Sequence, residues 1–393
     1  MNIIRQHKIS LFAGVGFLVV IGLLFAVPKL FRSHYISVGD TGLALANMAP
    51  KAPPEPVFVP SYVETPKQVK GIYMTSWTAG TPSLRNGLVS LIDTTELNTV
   101  VIDIKDYTGK IVFPVTNPEL KAFGSEEVRI RDLKDFIESL HKKGIYVIAR
   151  IAVFQDAYFV THRPDLAVKN KAGTAVWKDR KGIAWIDVGA REYWDYIILL
   201  SRESREIGFD EINFDYIRFP SDGDMKNISY PFASTTPKQD TLRDFFAYTH
   251  DHLATSTDPK RMKISADLFG MVTTAQDDMG IGQVLEKALP YFDYIMPMVY
   301  PSHYPKTFQG FNNPAEHPYD VVHFAMAQGV RRAEAASSTP LKLRPWLQDF
   351  DLGADYGPAE VRAQIKATYD VGLTSWILWS ASNKYTKGAM EGQ

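Results

Sequence analysis

The chain has 393 residues, 45% of them hydrophobic and 22% charged, a globular composition that excludes fibrous and wholly disordered classes. Its 43 Lys and Arg against 44 Asp and Glu leave a net charge of -1, which gives no electrostatic basis for binding nucleic acid. The absence of cysteine removes disulfides, thiolate metal sites and a Cys nucleophile together.

The first predicted element is the uncharged apolar run ISLFAGVGFLVVIGLLFAV at residues 9–27, which follows Arg5, His7 and Lys8 and is closed by Pro28 and Lys29. At ~1.5 Å per residue it matches a ~30 Å hydrocarbon core. Residues 1–32 are therefore expected to be a single-pass membrane anchor. Arg5 and Lys8 favour a cytoplasmic N-terminus and an extracytoplasmic C-terminal part, although Lys29 and Arg32 weaken the asymmetry. The alternative is a cleaved signal peptide. Against it, the run exceeds a ~7–15-residue apolar region, and the small-residue site Ala44-Leu45-Ala46 lies beyond Arg32. Residues 33–68 read as a linker, with KAPPEPVFVPSYVETP as a semi-rigid spacer.

From residue 69 to 393 short β-branched or aromatic runs alternate with helical patterns, as in a parallel sheet of βαβ units. Strands are predicted at 71–76, 99–104, 146–151, 211–215, 263–268, 294–299, 343–347 and 375–379. Amphipathic helices are predicted at 130–141, 193–207, 242–253, 322–332 and 359–369. Eight strand-helix repeats point to an α/β fold closed as a (β/α)8 TIM barrel. Helix-to-strand connections are short and marked by Gly144, Gly208 and Gly372, whereas the strand-to-helix connections at 155–190, 220–239, 300–318 and 348–358 are long. Long loops crowding the C-terminal face are expected to build the site there. An open doubly wound sheet is the competitor, but no glycine-rich phosphate loop follows any strand.

Charged and polar residues stand at the C-terminal ends of the apolar strands. With a period of two, Asp103 and Lys105 share one face of the second strand, Arg150 ends the third, Asn213 and Asp215 lie on the fourth, and Ser265 and Asp267 on the fifth. These side chains are expected to converge in the barrel mouth, where ionised groups are costly unless paired or functional. An internal salt-bridge network, Asp103 with Lys105 or Arg150, is the structural alternative. Aromatic residues near strand ends, Trp77, Trp177, Trp185, Tyr300, Tyr304, Trp346 and Trp379, are candidates for a sugar platform, although Trp side chains commonly serve as core or loop anchors. His162, His303 and His317 lie in the long loops without metal-ligand spacing, so no metal and no cofactor is expected.

The stretch GFDEINFDYIRFP at 208–220 resembles the fourth strand of carbohydrate-active barrels. Together with GIYMT at 71–75, VIDIKD at 101–106, WIDVG at 185–189, MPMVYP at 296–301 and LRPWLQ at 343–348, it makes residue 69 onward similar to a bacterial family of glycoside-hydrolase (β/α)8 barrels, and distantly to chitinase-type enzymes. The resemblance implies a glycosidase, and the expected anchor, which places the barrel outside, makes an envelope or extracellular polysaccharide the expected substrate. Where chitinase-type barrels keep an acidic Glu two residues after the last Asp of this motif, the chain has Ile217, so that mechanism does not carry over. What remains is a pair of carboxylates: Asp215 as nucleophile or base, and Asp267, beside apolar Leu268, Phe269 and Met271, as acid. Asp103, Lys105, Asp106, Arg150, Asn213, Arg218, Trp77, Tyr300, Trp346, Gln348 and Trp379 are the expected substrate-binding residues, with Arg218 and Lys105 as the charges beside Asp215. The rival expectation is a non-catalytic carbohydrate-binding TIM barrel.

Overall fold

The computed structural model describes residues 58–258 and 261–392. The expected anchor at 1–32 and most of the expected linker lie outside the described residues, among which no helix is long and apolar enough to cross a membrane. The compact unit carrying the fold is Val59–Gln393.

Eight strands pair in parallel in chain order, and the last returns to the first to close a barrel. They are β1 (Lys70–Met74), β2 (Thr99–Lys105), β3 (Tyr146–Ala152), β4 (Glu211–Asp215), β5 (Lys263–Phe269), β6 (Tyr294–Met298), β7 (Trp346–Gln348) and β8 (Trp376–Trp379). The outer layer contains α1 (Pro82–Asp93), α2 (Leu133–His141), α3 (Arg191–Ile207), α4 (Lys238–Leu253), α5 (Leu285–Ala288), α6 (Pro318–Ala335) and α7 (Pro358–Asp370). The repeat is complete in strands and shortened in helices. α5 is a single turn, and among the described residues β8 is followed only by a 3-10 turn at Lys387–Ala389.

Local chemistry sets the boundaries. Proline opens α1, α6 and α7, where its missing N–H costs nothing. α3 stops at Gly208, whose φ of 123° suits a residue without Cβ, and β4 starts three positions on. β1 ends earlier than expected because Thr75 caps a short helix at Ser76–Ala79, accepting at Oγ1 from Thr78 N at 3.1 Å. β7 starts later than expected, after Pro345, which has no N–H to donate to a ladder.

The barrel interior is filled by the cluster that includes Tyr73, Val101, Tyr146, Ile148, Met296, Trp346 and Ile377. A larger apolar layer separates the strands from the helices. The N-terminal face is sealed by polar contacts: Arg344 Nη1 donates to Glu211 at 3.0 Å, Tyr146 OH donates to Glu211 at 3.0 Å, and Thr65 Oγ1 donates to Tyr146 OH at 3.1 Å. Nearby, Val63 N donates to Asp210 at 2.8 Å, so the irregular segment that precedes β1 packs beneath the barrel. Polar groups at this end serve stability, and the open end lies opposite.

The expected alternation on β2 is broken. The β2–β3 register shifts between Asp103, opposite Arg150, and Lys105, opposite Ile151. A bulge reverses the parity beyond it. Lys105 consequently faces the helix layer, fully buried, where its ammonium lies 2.8 Å from Asp156 and donates to Ala152 O at 2.6 Å and Tyr193 OH at 3.1 Å. It does not share the barrel mouth with Asp103.

Candidate active site

Strand parity brings Asp103, Arg150, Asn213, Asp215, Ser265 and Asp267 to the C-terminal end of the barrel interior, as expected for all but Lys105. Arg150 is the hub. Its Nη1 donates to Asp103 Oδ1 at 2.6 Å, its Nη2 donates to Asp215 Oδ2, and its Nε lies 3.5 Å from Asp267 Oδ2 without a hydrogen-bond acceptor. Burial alone would destabilise the guanidinium, but the charges of Asp103 and Asp215 outweigh it and hold Arg150 well above its ordinary pKa.

Three carboxylates thus surround one cation, an imbalance that a bound proton relieves. Asp267 is shifted strongly toward the protonated form. Burial first, then the charge of Asp215, push its pKa up to about 8. Asp267 is 1% exposed, and its Oδ1 accepts from Asn213 Nδ2 at 2.9 Å and Trp346 Nε1 at 2.7 Å. Asn213 also donates to Ser265 Oγ at 3.1 Å, so β4, β5 and β7 jointly fix this carboxyl. Asp103 is likewise raised, chiefly by burial, and its Oδ2 accepts from Tyr73 OH.

Asp215 presents its two oxygens to different donors, Arg150 on one side and the N–H of Tyr216 at 2.5 Å on the other. Tyr216 has φ 52°, left-handed backbone that a bulky residue seldom adopts. Such strain concentrates at functional sites. Here it turns the chain sharply at the end of β4 and aims the Tyr216 N–H back at the carboxylate.

The remaining expected residues divide into two groups. Trp379 is half-buried, stacks on Tyr73 at 4.0 Å and lies 5.1 Å from the Arg150 guanidinium, walling the carboxylate cluster. Tyr300 is close enough to Asp267 and Asp215 that burial and their charges hold its hydroxyl well above the ordinary range. Trp346 anchors Asp267 and is 1% exposed, so it offers no platform face. Arg218 sits in an adjoining cleft and bonds neither carboxylate of the expected pair; Arg150 fills the role expected of Arg218 and Lys105.

The others stand apart from the cluster. Asp106 is held by Thr108 N at 2.9 Å and Arg129 Nη1 at 2.8 Å, and these contacts, against the opposing effect of burial, lower its pKa. Trp77 is 63% exposed on the rim, over Arg129. Gln348 is fully buried and ties the β6 loop, accepting from Ser302 Oγ at 2.8 Å and donating to Phe350 O at 2.9 Å. Trp177 and Trp185 anchor loops through Asp224 O at 3.1 Å and Asp179 at 3.0 Å.

Tyr73, Tyr216, Gln155 and Asp179 were not singled out by sequence reasoning. Tyr73 has a readable signal, since on β1 it has the interior parity of Gly71 and neighbours Val101 on β2. Tyr216 has none, because its conformation follows from the turn after β4.

A family model described as a putative glycosyl hydrolase domain matches residues 71–385. No curated protein matches the chain. Among solved structures, a hypothetical protein from Ruminiclostridium thermocellum is 30% identical, with a TM-score of 0.45, covering 53% of this chain and 98% of its own. The glycoside hydrolase domain of PgaB (BpsB) from Bordetella bronchiseptica is 14% identical, with a TM-score of 0.58, covering 80% of this chain and 94% of its own. Alpha-L-fucosidase isoenzyme 2 from Paenibacillus thiaminolyticus is 13% identical, with a TM-score of 0.54, covering 82% of this chain and 46% of its own. The last two share the barrel fold.

Proposed function

Because the chain belongs to the putative glycosyl hydrolase domain family, we propose that it hydrolyses a glycosidic bond in an envelope or extracellular polysaccharide, with Asp215 and Asp267 as the reacting pair. The observation that carries this reading is the split between two neighbouring carboxyls. Asp267 is buried and kept protonated to about pH 8, whereas Asp215 accepts from a guanidinium and a backbone N–H. Pairs of carboxyls driven apart in this way divide into acid and base. Asp267 gives its proton to the leaving oxygen, and Asp215 attacks the anomeric carbon or activates water.

Arg150 then has a second role. As Asp267 loses its proton, the new anion lies 3.5 Å from the unbonded Nε, whose N–H can donate toward it without rearrangement of the other two arms. The aromatic wall of Tyr73 and Trp379 supports sugar binding through C–H faces. The extracytoplasmic, membrane-anchored location is part of the same proposal and is supported by the apolar run at 9–27 with its preceding Arg5 and Lys8.

A second reading, a barrel that binds carbohydrate without cleaving it, draws on two observations. Ile217 is fully buried where chitinase-type barrels keep their acid, and all three carboxyls already hold protein donors. The deciding experiment is chromatographic detection of released oligosaccharides from a polysaccharide panel, comparing the native chain with Asp215→Asn. Release that disappears in the variant supports hydrolysis; retention of oligosaccharides with no release by either protein supports the second reading.

A further inference from the structure

Beside the carboxylate cluster lies a cleft of about 410 Å³, within the range of small-ligand sites, lined by Arg218, Trp185, Tyr216, Gln155, Lys181 and Tyr107 among others. Arg218 follows Asp215 by three positions, so this cleft adjoins the reacting pair through the turn after β4. Its guanidinium is packed among aromatic rings, 4.8 Å from Trp185, 4.9 Å from Phe269 and 5.4 Å from Tyr216. Its Nη1 donates to Phe219 O at 3.1 Å and Ser221 Oγ at 3.2 Å. Among the described residues, Nε and Nη2 have no acceptor, and no carboxylate lies within ion-pair distance.

A half-buried guanidinium without a counter-ion is unusual, because removing a cation from water is costly unless an anion compensates. The cost registers as a pKa lowered by burial, only partly offset by Tyr216 and by the more distant charges of Asp215, Asp222 and Asp179. Asp179 contributes charge but makes no hydrogen bond or ion pair with Arg218. Its oxygens are occupied by Gln155 Nε2 and Trp185 Nε1, each at 3.0 Å, and by the N–H groups of Lys181 and Ile183, each at 2.9 Å. Asp222 lies at the half-exposed edge of the cleft, and Lys181 adds a second, exposed cation.

We infer that this cleft selects an acidic glycan, with the free Nε and Nη2 arms of Arg218 receiving a carboxylate carried on a sugar ring bound next to Asp215. The inference rests on the glycosidase reading for its reaction, but its own content is recognition. The planar fork of Arg matches a carboxylate with two parallel hydrogen bonds, and the surrounding rings fix the fork while offering faces to the sugar. A neutral sugar leaves the half-buried guanidinium without a counter-ion. Two ligand sources share this chemistry, a uronic acid with its carboxylate at C6 and a sugar carrying a lactyl ether.

The test measures binding of acid and neutral partners to the full-length chain in detergent by calorimetry. One arm uses oligogalacturonate and its methyl ester, the other an N-acetylmuramic-acid-containing disaccharide and its carboxyl-reduced form. In at least one arm the acid is expected to bind at least about tenfold more tightly, and higher salt should narrow the ratio. Arg218→Gln should bring the ratio to about one, and Arg218→Lys, which keeps charge but loses the fork, should reduce it. The Lys variant serves if the Gln variant does not fold. Equal behaviour of acid and neutral forms in both arms, including absence of binding by either, overturns the inference, as does an undiminished preference in the folded variants. Product release is followed separately. Acid preference without bond cleavage leaves this inference standing and removes the glycosidase reading; Asp215-dependent cleavage of neutral glycans without acid preference does the reverse.

Discussion

The Nε of Arg150 lies 3.5 Å from Asp267 Oδ2, and it is the one arm of that guanidinium without a hydrogen-bond acceptor. The other two arms hold Asp103 and Asp215. The arrangement leaves a place for negative charge on Asp267 that is unused while the carboxyl is protonated.

The pH dependence of activity and stability should report Asp267. As the acid it must carry a proton, so kcat/KM should fall as pH rises through about 8. For stability, the folded pKa of about 8 lies above the unfolded value, so the native state binds more protons between the two values. Stability is then fully present below about pH 4 as far as this group is concerned, and declines as pH rises toward 8. Asp267→Asn should remove this part of the decline and lose at least ~10²-fold in rate, with a milder loss on substrates whose leaving groups need little protonation. Thermal unfolding and initial rates across that pH window check both, and a wild-type kcat/KM that does not fall as pH rises through about 8 would exclude Asp267 as the acid.

Arg150→Met should be among the most destabilising changes in the barrel. It leaves Asp103 and Asp215 without the cation they are bonded to, a loss on the scale of ~3–5 kcal/mol for breaking a buried pair. Acidification protonates those carboxyls and should recover part of the lost melting temperature. If the variant melts like the wild type at neutral pH, the guanidinium is not the electrostatic hub.

Asp215→Asn retains the side-chain shape and removes the anion required by the oxocarbenium-like transition state. The rate is expected to fall by at least ~10²-fold while oligosaccharide binding persists. Wild-type turnover in this variant would overturn the assignment.

Lys105→Met is expected to lower stability without a specific effect on catalysis, because Lys105 is buried against Asp156 behind the strand. The double change Lys105→Met with Asp156→Leu should recover part of that loss by removing the stranded charge as well. A large fall in kcat for a well-folded Lys105→Met protein would return this residue to the site.

The proposed location predicts that the full-length chain fractionates with membranes and that its barrel is cleaved by protease added outside. A shortened soluble form beginning near residue 47 would identify the apolar run as a cleaved signal peptide.

The sequence by itself determined the parallel eight-stranded barrel, the long loops at one face and the carboxylates on β4 and β5. Each of these follows from periodicity or from the spacing of turn residues, which are local properties of the chain. Parity placed Arg150, Asn213, Asp215 and Asp267 inside the mouth because β3, β4 and β5 pair without interruption in that stretch. Parity failed at Lys105, since a bulge depends on how β2 and β3 meet and leaves no mark on the β2 sequence. The division of labour among the charged groups was likewise decided only by the tertiary structure. Arg150 rather than Arg218 meets Asp215, and the pKa of Asp267 is raised, because ionisation inside a protein depends on burial and on the summed field of neighbours from several strands.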